Sequence, residues 1–282
     1  MRSVHSFNDN WLYTPADVPT SSPDSQFEPV TLPHTNIVLP YHNFDNLEYQ
    51  FISTYRKRFT LPEPLDGRRV YVDFDGAMIA ATVSINGHVF DEHDGGYVPF
   101  SFDLTDTLRD GENVLQVRLD STERPDIPPY GYVVDYLTFG GIYRDVRLRY
   151  VEPVHIADVI VLTQDDLTDS PKAVVVAYIK NQTGQAAIRT IEYSIHDQKK
   201  QLDFFSNEET IPANAAVYIS VLLDADDIRL WSLENPTLYS AEVSLTDGDT
   251  SLDHSSAIFG FREAVFKDDG FYLNGEHVKL IG

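Results

Sequence analysis

Any chemistry in this chain rests on its carboxylates. Of 282 residues, 44 are Asp or Glu, 21 are Lys or Arg, and none is Cys. The missing cysteines exclude a thiol nucleophile, a disulfide scaffold, a zinc–thiolate site and an iron–sulfur cluster together. Nine histidines (5, 34, 42, 88, 93, 155, 196, 254 and 277) are scattered, with no His-x-His or His-Glu-x-x-His spacing, so no transition-metal site is expected. No Gly-rich phosphate loop precedes a helix, which argues against a nucleotide cofactor, and no Gly-x-Ser-x-Gly elbow occurs. Most of the carboxylates read as solvated strand faces and turns. Residues 121–139 stand apart, because they have no clean periodicity. Long irregular stretches are uncommon inside compact domains and often carry function. Just beyond them, Arg144 and Asp145 are adjacent, and a structural ion pair or strand-end hydrogen bonds is the expected role.

The elements that must position such a loop are strands. Val70, Val72 and Phe74 alternate with Tyr71, Asp73 and Asp75. Leu115, Val117 and Leu119 do the same, as do Ala173–Ile179, Ile191–Ile195, Val217–Val221 and Tyr239–Leu245. Alternation places each set on one side of a pleated strand, and β-branched and aromatic residues favour that geometry. Asn86-Gly87 and Asn274-Gly275 each sit between such runs and read as tight hairpin turns. Helical periodicity is confined to single turns near Thr105–Arg109 and Asp224–Leu230. The pattern predicts an all-β chain of antiparallel sandwiches.

Length and charge bound the rest. The size suits two domains. A net charge of −23, spread through both halves, repels phosphate backbones and anionic lipid, so neither nucleic acid nor a membrane is an expected partner. The first ten residues lack an apolar signal-peptide core, and no run approaches the ~20 apolar residues of a membrane span. A cytoplasmic protein is the expectation. Pro153 marks a boundary, since proline interrupts a ladder. Six prolines between Pro15 and Pro40 suggest that the first 45 residues wrap the first sandwich without entering its core.

Six stretches occur in an order that resembles glycoside hydrolase family 2, the family of β-galactosidases and β-glucuronidases. They are Leu32-Pro33-His34-Thr35 with Tyr55-Arg56-Lys57-Arg58-Phe59; Phe74-Asp75-Gly76 with Val83-Ser84-Ile85-Asn86-Gly87; Gly95-Gly96-Tyr97-Val98-Pro99-Phe100 with Phe102-Asp103-Leu104-Thr105; Gly140-Gly141-Ile142-Tyr143-Arg144-Asp145-Val146; Leu230 to Tyr239; and Phe259-Gly260-Phe261-Arg262 with Asp269 to Gly275. The resemblance implies a jelly-roll, galactose-binding-like sandwich over 1–152, an immunoglobulin-like sandwich over 153–260, and the start of a truncated TIM barrel over 261–282. It also implies a retaining β-galactosidase-like parent enzyme, homo-oligomeric at full length. Retaining hydrolysis needs two carboxylates about 5–5.5 Å apart, one a proton donor and one a nucleophile. In the family both are barrel glutamates. They are expected beyond Gly282, so the chain alone is expected to be inactive and to need its own C-terminal barrel as partner.

Two residues follow from the same resemblance. Asp135, just before the Tyr136–Asp145 run, matches an aspartate that reaches the barrel's active site, where it contacts the galactose hydroxymethyl group and a sodium ion. A carboxylate is a hard oxygen ligand and accepts hydroxyl hydrogen bonds, so both roles are chemically sound. The alternative is a loop carboxylate capping a turn. Asn46 matches an asparagine sent to a substrate hydroxyl; Asn43 or Asp45 could be the equivalent, and an ordinary turn residue is the plain alternative. Tyr49, Phe51, Tyr130, Tyr132, Tyr136 and Phe139 could stack on sugar faces or pack a domain interface. No cofactor is implied for this chain, and sodium or magnesium is implied for the full-length enzyme. Two competing readings stand: an independent carbohydrate-binding module, and the same family acting on another sugar such as a glucuronide or mannoside. A carboxylate at Asp135 facing C6 would oppose a uronate.

Overall fold

The structure, a computed structural model, describes residues 1–42, 45, 47–131, 136–197, 200–225 and 227–281. The chain divides into two compact units, Ser3–Tyr150 and the residues from Val151 on, the latter joined by Met1–Arg2. The first unit is built from β1 (Ser3–Ser6), β2 (Trp11–Thr14), β3 (Glu28–Val30), β4 (Ile52–Phe59), β5 (Arg69–Phe74), β6 (Ala80–Ile85), β7 (His88–Val89), β8 (His93–Asp94), β9 (Phe100–Asp103), β10 (Asn113–Asp120) and β11 (Val146–Val151). One sheet runs β1-β11-β5-β9; the other runs β3-β2-β4-β10-β6-β7, with β8 also on β6. This is the jelly-roll sandwich.

Its core forms where alternation points it. Val70, Val72 and Phe74 are fully buried on one sheet, and Leu115, Val117 and Leu119 on the other. Val117 pairs with Tyr55 of β4 on one side and Val83 of β6 on the other, so three buried side chains line up across the strands. Asn86 and Gly87, at φ 53° and 91°, close the β6–β7 hairpin in the left-handed region that this pair tolerates.

The N-terminal segment departs from the wrapping expected of it. β1, β2 and β3 belong to the sheets, and Phe7, Trp11, Tyr13 and Leu32 lie in the main core. The Trp11-x-Tyr13 alternation precedes the first proline, and burial of two large rings outweighs the proline density that follows it. Pro29 falls on β3, an edge strand, where a missing N–H costs no ladder bond. The loop between β2 and β3 is pinned by Arg56, whose side chain is fully buried. It donates to Gln116 Oε1, to Asp24 Oδ1 and to the carbonyls of Pro19, Thr20 and Ser22, with its guanidinium 4.3 Å from the Phe27 ring centroid. Next to it in sequence, Lys57 is also buried. Burial lowers its pKa to about 8, against the opposing pull of Asp9.

The second unit is the immunoglobulin-like sandwich. Its strands are β12 (Val154–Gln164), β13 (Lys172–Asn181), β14 (Ala187–His196), β15 (Gln201–Ile211), β16 (Ala215–Asp224), β17 (Tyr239–Asp247) and β18 (Thr250–Phe259). They form sheets β12-β13-β16 and β15-β14-β17-β18. Ala173, Val175, Ala177 and Ile179 face Ile191, Tyr193, Ile195, Ala241, Val243 and Leu245 in one core cluster. Asp253 is fully buried there. It accepts from Arg2 Nε at 3.0 Å and Nη2 at 2.9 Å, and from Ile156 N at 2.8 Å. A further small sheet holds β19 (Ala264–Lys267), β20 (Gly270–Leu273) and β21 (Glu276–Val278), with Asn274-Gly275 at its second turn.

Of the two helical turns expected, one forms, a 3-10 turn at Thr105–Thr107. Asp224 instead closes β16, and residues 225 and 227–230 carry no helix. A second 3-10 turn, Asp24–Gln26, was not signalled by periodicity. No helix among the described residues is long and apolar enough to cross a membrane.

Candidate functional site

A cleft of about 460 Å³ opens in the first unit where the segment after β10 meets the turn before β4. Its lining comes from three stretches: Leu47, Tyr49 and Gln50 before β4; Met78 and Ile79 before β6; and residues of 121–138, among them Ser121, Thr122, Glu123, Tyr130, Tyr136 and Thr138.

Three irregular stretches are laced together to build it. Asn36 N donates to Gly140 O at 2.9 Å, and His34 N to Ile142 O at 2.8 Å, so the Pro33-His34-Thr35 stretch runs alongside the Gly140-Gly141-Ile142 stretch. Asn36 Nδ2 donates to Tyr49 O at 2.7 Å. Tyr49 Oη in turn accepts from Thr138 N at 3.4 Å and Thr138 Oγ1 at 3.2 Å. Ser121 Oγ donates to Met78 O at 2.8 Å. Glycine is required at the crossing. A methyl at Gly140 would fall on Asn36 Nδ2 and Ser121 Oγ; one at Gly141, where φ is +116°, would overlap the His34 carbonyl.

On the cleft wall, Glu123 N donates to Gln50 Oε1 at 3.1 Å, and Glu123 Oε1 accepts from Gly131 N at 2.7 Å. Tyr130 and Tyr136 are 50% and 56% exposed and present ring surface to solvent. Tyr97 Oη donates to Tyr136 Oη at 3.2 Å, and burial, then Tyr136, push the Tyr97 phenol well above its ordinary range. Burial lowers the pKa of His34, which packs 4.8 Å from Tyr13 and meets Tyr55 Oη at 2.9 Å; this favours a neutral imidazole in a structural role.

Asp135 and Asn46 lie outside the described residues, as do Asn43 and Tyr132. Leu47 and Tyr136, their neighbours in sequence, both line the cleft. Asp45 acts as a turn cap, its Oδ1 accepting from Leu47 N at 2.8 Å and its carbonyl from Glu48 N at 3.1 Å. Tyr49 is buried 5.9 Å from Phe139 and packs the loops together. Arg144 does not pair with Asp145. It donates to the carbonyls of Asp75 and Tyr97, while Asp145 accepts from Asn8 Nδ2 and Arg147. These are strand-end hydrogen bonds. Gln50 and Glu123 escaped the sequence reading. Glu123 lies inside the flagged 121–139 stretch, but its partner is 73 positions away and carries no local signal. Among the described residues no group of three or more His, Asp or Glu could hold a metal ion.

A jelly-roll sandwich followed by an immunoglobulin-like sandwich defines the class. Sequence comparison supplies the family. The profile "Glycosyl hydrolase 2 galactose-binding domain-like" matches residues 8–128, and "Glycosyl hydrolases family 2" matches residues 154–262. The chain belongs to glycoside hydrolase family 2. It is 38% identical over 296 residues to a β-galactosidase of Thermoanaerobacter pseudethanolicus and 38% identical over 290 residues to one of Thermoanaerobacterium thermosulfurigenes. Each match covers 100% of this chain but only 38% and 40% of those proteins. Among solved structures, Bacteroides uniformis β-glucuronidase 2, covalently bound to cyclophellitol-6-carboxylate aziridine, superposes with a TM-score of 0.87 at 28% identity, over 100% of this chain and 35% of that one.

Proposed function

We propose that this chain is the non-catalytic N-terminal portion of a retaining β-galactosidase-like hydrolase, and that it forms part of the active-site rim for terminal β-galactosides. The observation that carries the reading is the convergence of Leu47 and Tyr136, the sequence neighbours of Asn46 and Asp135, on one cleft. In this reading Asn46 and Asp135 bind sugar hydroxyls, because an amide both donates and accepts and a carboxylate accepts. The acid and nucleophile carboxylates are supplied by a barrel domain of the parent enzyme, so this chain by itself does not turn over glycosides. Asp135 is the proposed sodium ligand at full length.

The β-galactosidase assignment leans on the 38% identical relatives. A β-glucuronide substrate is the second reading, favoured by the high TM-score against a β-glucuronidase. Steady-state kinetics of the full-length enzyme test the proposal. Asp135→Ala is expected to lower kcat/KM for a β-galactoside at least ~100-fold, as for a lost transition-state contact. An unchanged kcat/KM would overturn it.

A further inference from the structure

We propose that the cleft beside Met78 and Ile79 binds a neutral sugar residue, and that Glu123 makes it discriminate against sugars bearing a carboxylate; this rests on the rim reading above. Among the described residues lining the cleft, Glu123 is the one carboxylate, and there is no Lys, Arg or His. Glu123 is held at both ends. Its N–H donates to Gln50 Oε1 and its Oε1 accepts from Gly131 N, so the charge is fixed at the wall. The cation next in sequence is already engaged: Arg124 donates to Glu92 Oε1 and Asp126 Oδ2, each at 2.7 Å.

A neutral sugar suits this lining. Its C–H face can lie on the exposed rings of Tyr130 or Tyr136, and its hydroxyls can donate to Glu123 and exchange hydrogen bonds with Gln50, Thr122 and Thr138. A uronate would bring a second negative charge beside Glu123, with no countercharge among the described lining residues, on a chain already at −23. Selectivity then comes from a repulsive element as well as an attractive one.

The test titrates the 282-residue chain, followed by backbone amide NMR shifts, with two probes that differ only at C6: methyl β-galactopyranoside and its 6-carboxylate. The neutral probe is expected to shift the amides of Thr122, Glu123, Gly131 and Thr138 and to bind at least ~10-fold more tightly than the carboxylate. Glu123→Gln, which preserves the acceptor for Gly131 N, is expected to raise carboxylate affinity about 10-fold and change neutral affinity by less than about 3-fold. Tyr130→Ala and Tyr136→Ala, at exposed positions, serve as second variants; at least one is expected to weaken both probes alike. Equal affinity of the two probes, or a Glu123→Gln effect common to both, would overturn the discrimination and leave the rim reading to be judged by Asp135→Ala kinetics. Cleft amides unmoved by either probe would overturn the site itself.

Discussion

Asn36 donates its side-chain amide to the carbonyl of Tyr49 at 2.7 Å, and its own N–H to the carbonyl of Gly140 at 2.9 Å. One buried residue thus ties together the two chain segments that flank the cleft. Replacing it with Ala removes one of two donors to the Tyr49 carbonyl, which keeps Phe51 N at 3.2 Å, and the loss of one such hydrogen bond costs about 0.5–1.5 kcal/mol. The low end is expected, because Asn36 Oδ1 is itself buried without a partner and its removal is favourable. Urea unfolding of the first unit measures this, with loss of the Thr122 and Thr138 amide positions as the local readout.

Gly140→Ala is expected to cost about 1–3 kcal/mol, the range for overpacking a filled interior. The added methyl meets Asn36 and Ser121, neither of which has open space to retreat into. Gly184→Ala is the control: nothing lies within 4 Å of its Cβ position, and its stability is expected to stay within about 0.5 kcal/mol of the parent. Comparable losses for the two would contradict the crossing described for Gly140.

Arg2 and Asp253 form a two-point charge pair in the second unit, with the carboxylate fully buried. Arg2→Ala leaves the Asp253 carboxylate buried and uncompensated, and a loss of about 3–5 kcal/mol is expected in the second unit's melting. Replacing both residues with apolar ones of similar size is expected to recover most of it. A single replacement with no effect would contradict the bidentate pairing.

The fold was legible where burial is periodic. Val70-x-Val72-x-Phe74 and Ala173 through Ile179 needed only the two-residue repeat, since the strand pleat converts sequence parity directly into an inner and an outer face. Arg56 was opaque, because a charged residue on a strand reads as solvent-facing until the loop that buries it is seen. Trp11 and Tyr13 were hidden by the prolines after them. In the cleft the signal was the absence of pattern in 121–139. It marked a stretch that lines the cleft but not Gln50, whose partnership with Glu123 exists only after folding.

Acid stability depends on Glu63. The Ser3 hydroxyl, then His5, then Arg68 hold its carboxyl down to about 2. A lowered native pKa means that the unfolded chain binds the proton first. The stabilisation is therefore complete above the usual carboxylate range and is lost as pH falls through about 2. These partners are partly exposed, so the contribution is about 1 kcal/mol or less. Glu63→Gln is expected to flatten the fall in stability between roughly pH 4.5 and 2, measured by chemical denaturation at stepped pH. An unaltered slope would contradict the assignment.

The most direct measurement is a crystal structure of the full-length enzyme with a β-galactoside bound. The Asp135 carboxylate is expected about 2.7 Å from a sugar hydroxyl, the usual spacing for such a bond, with Tyr136 and Leu47 of the cleft lining facing the substrate. A sugar held with neither Asp135 nor Asn46 in contact would contradict the rim role of this chain.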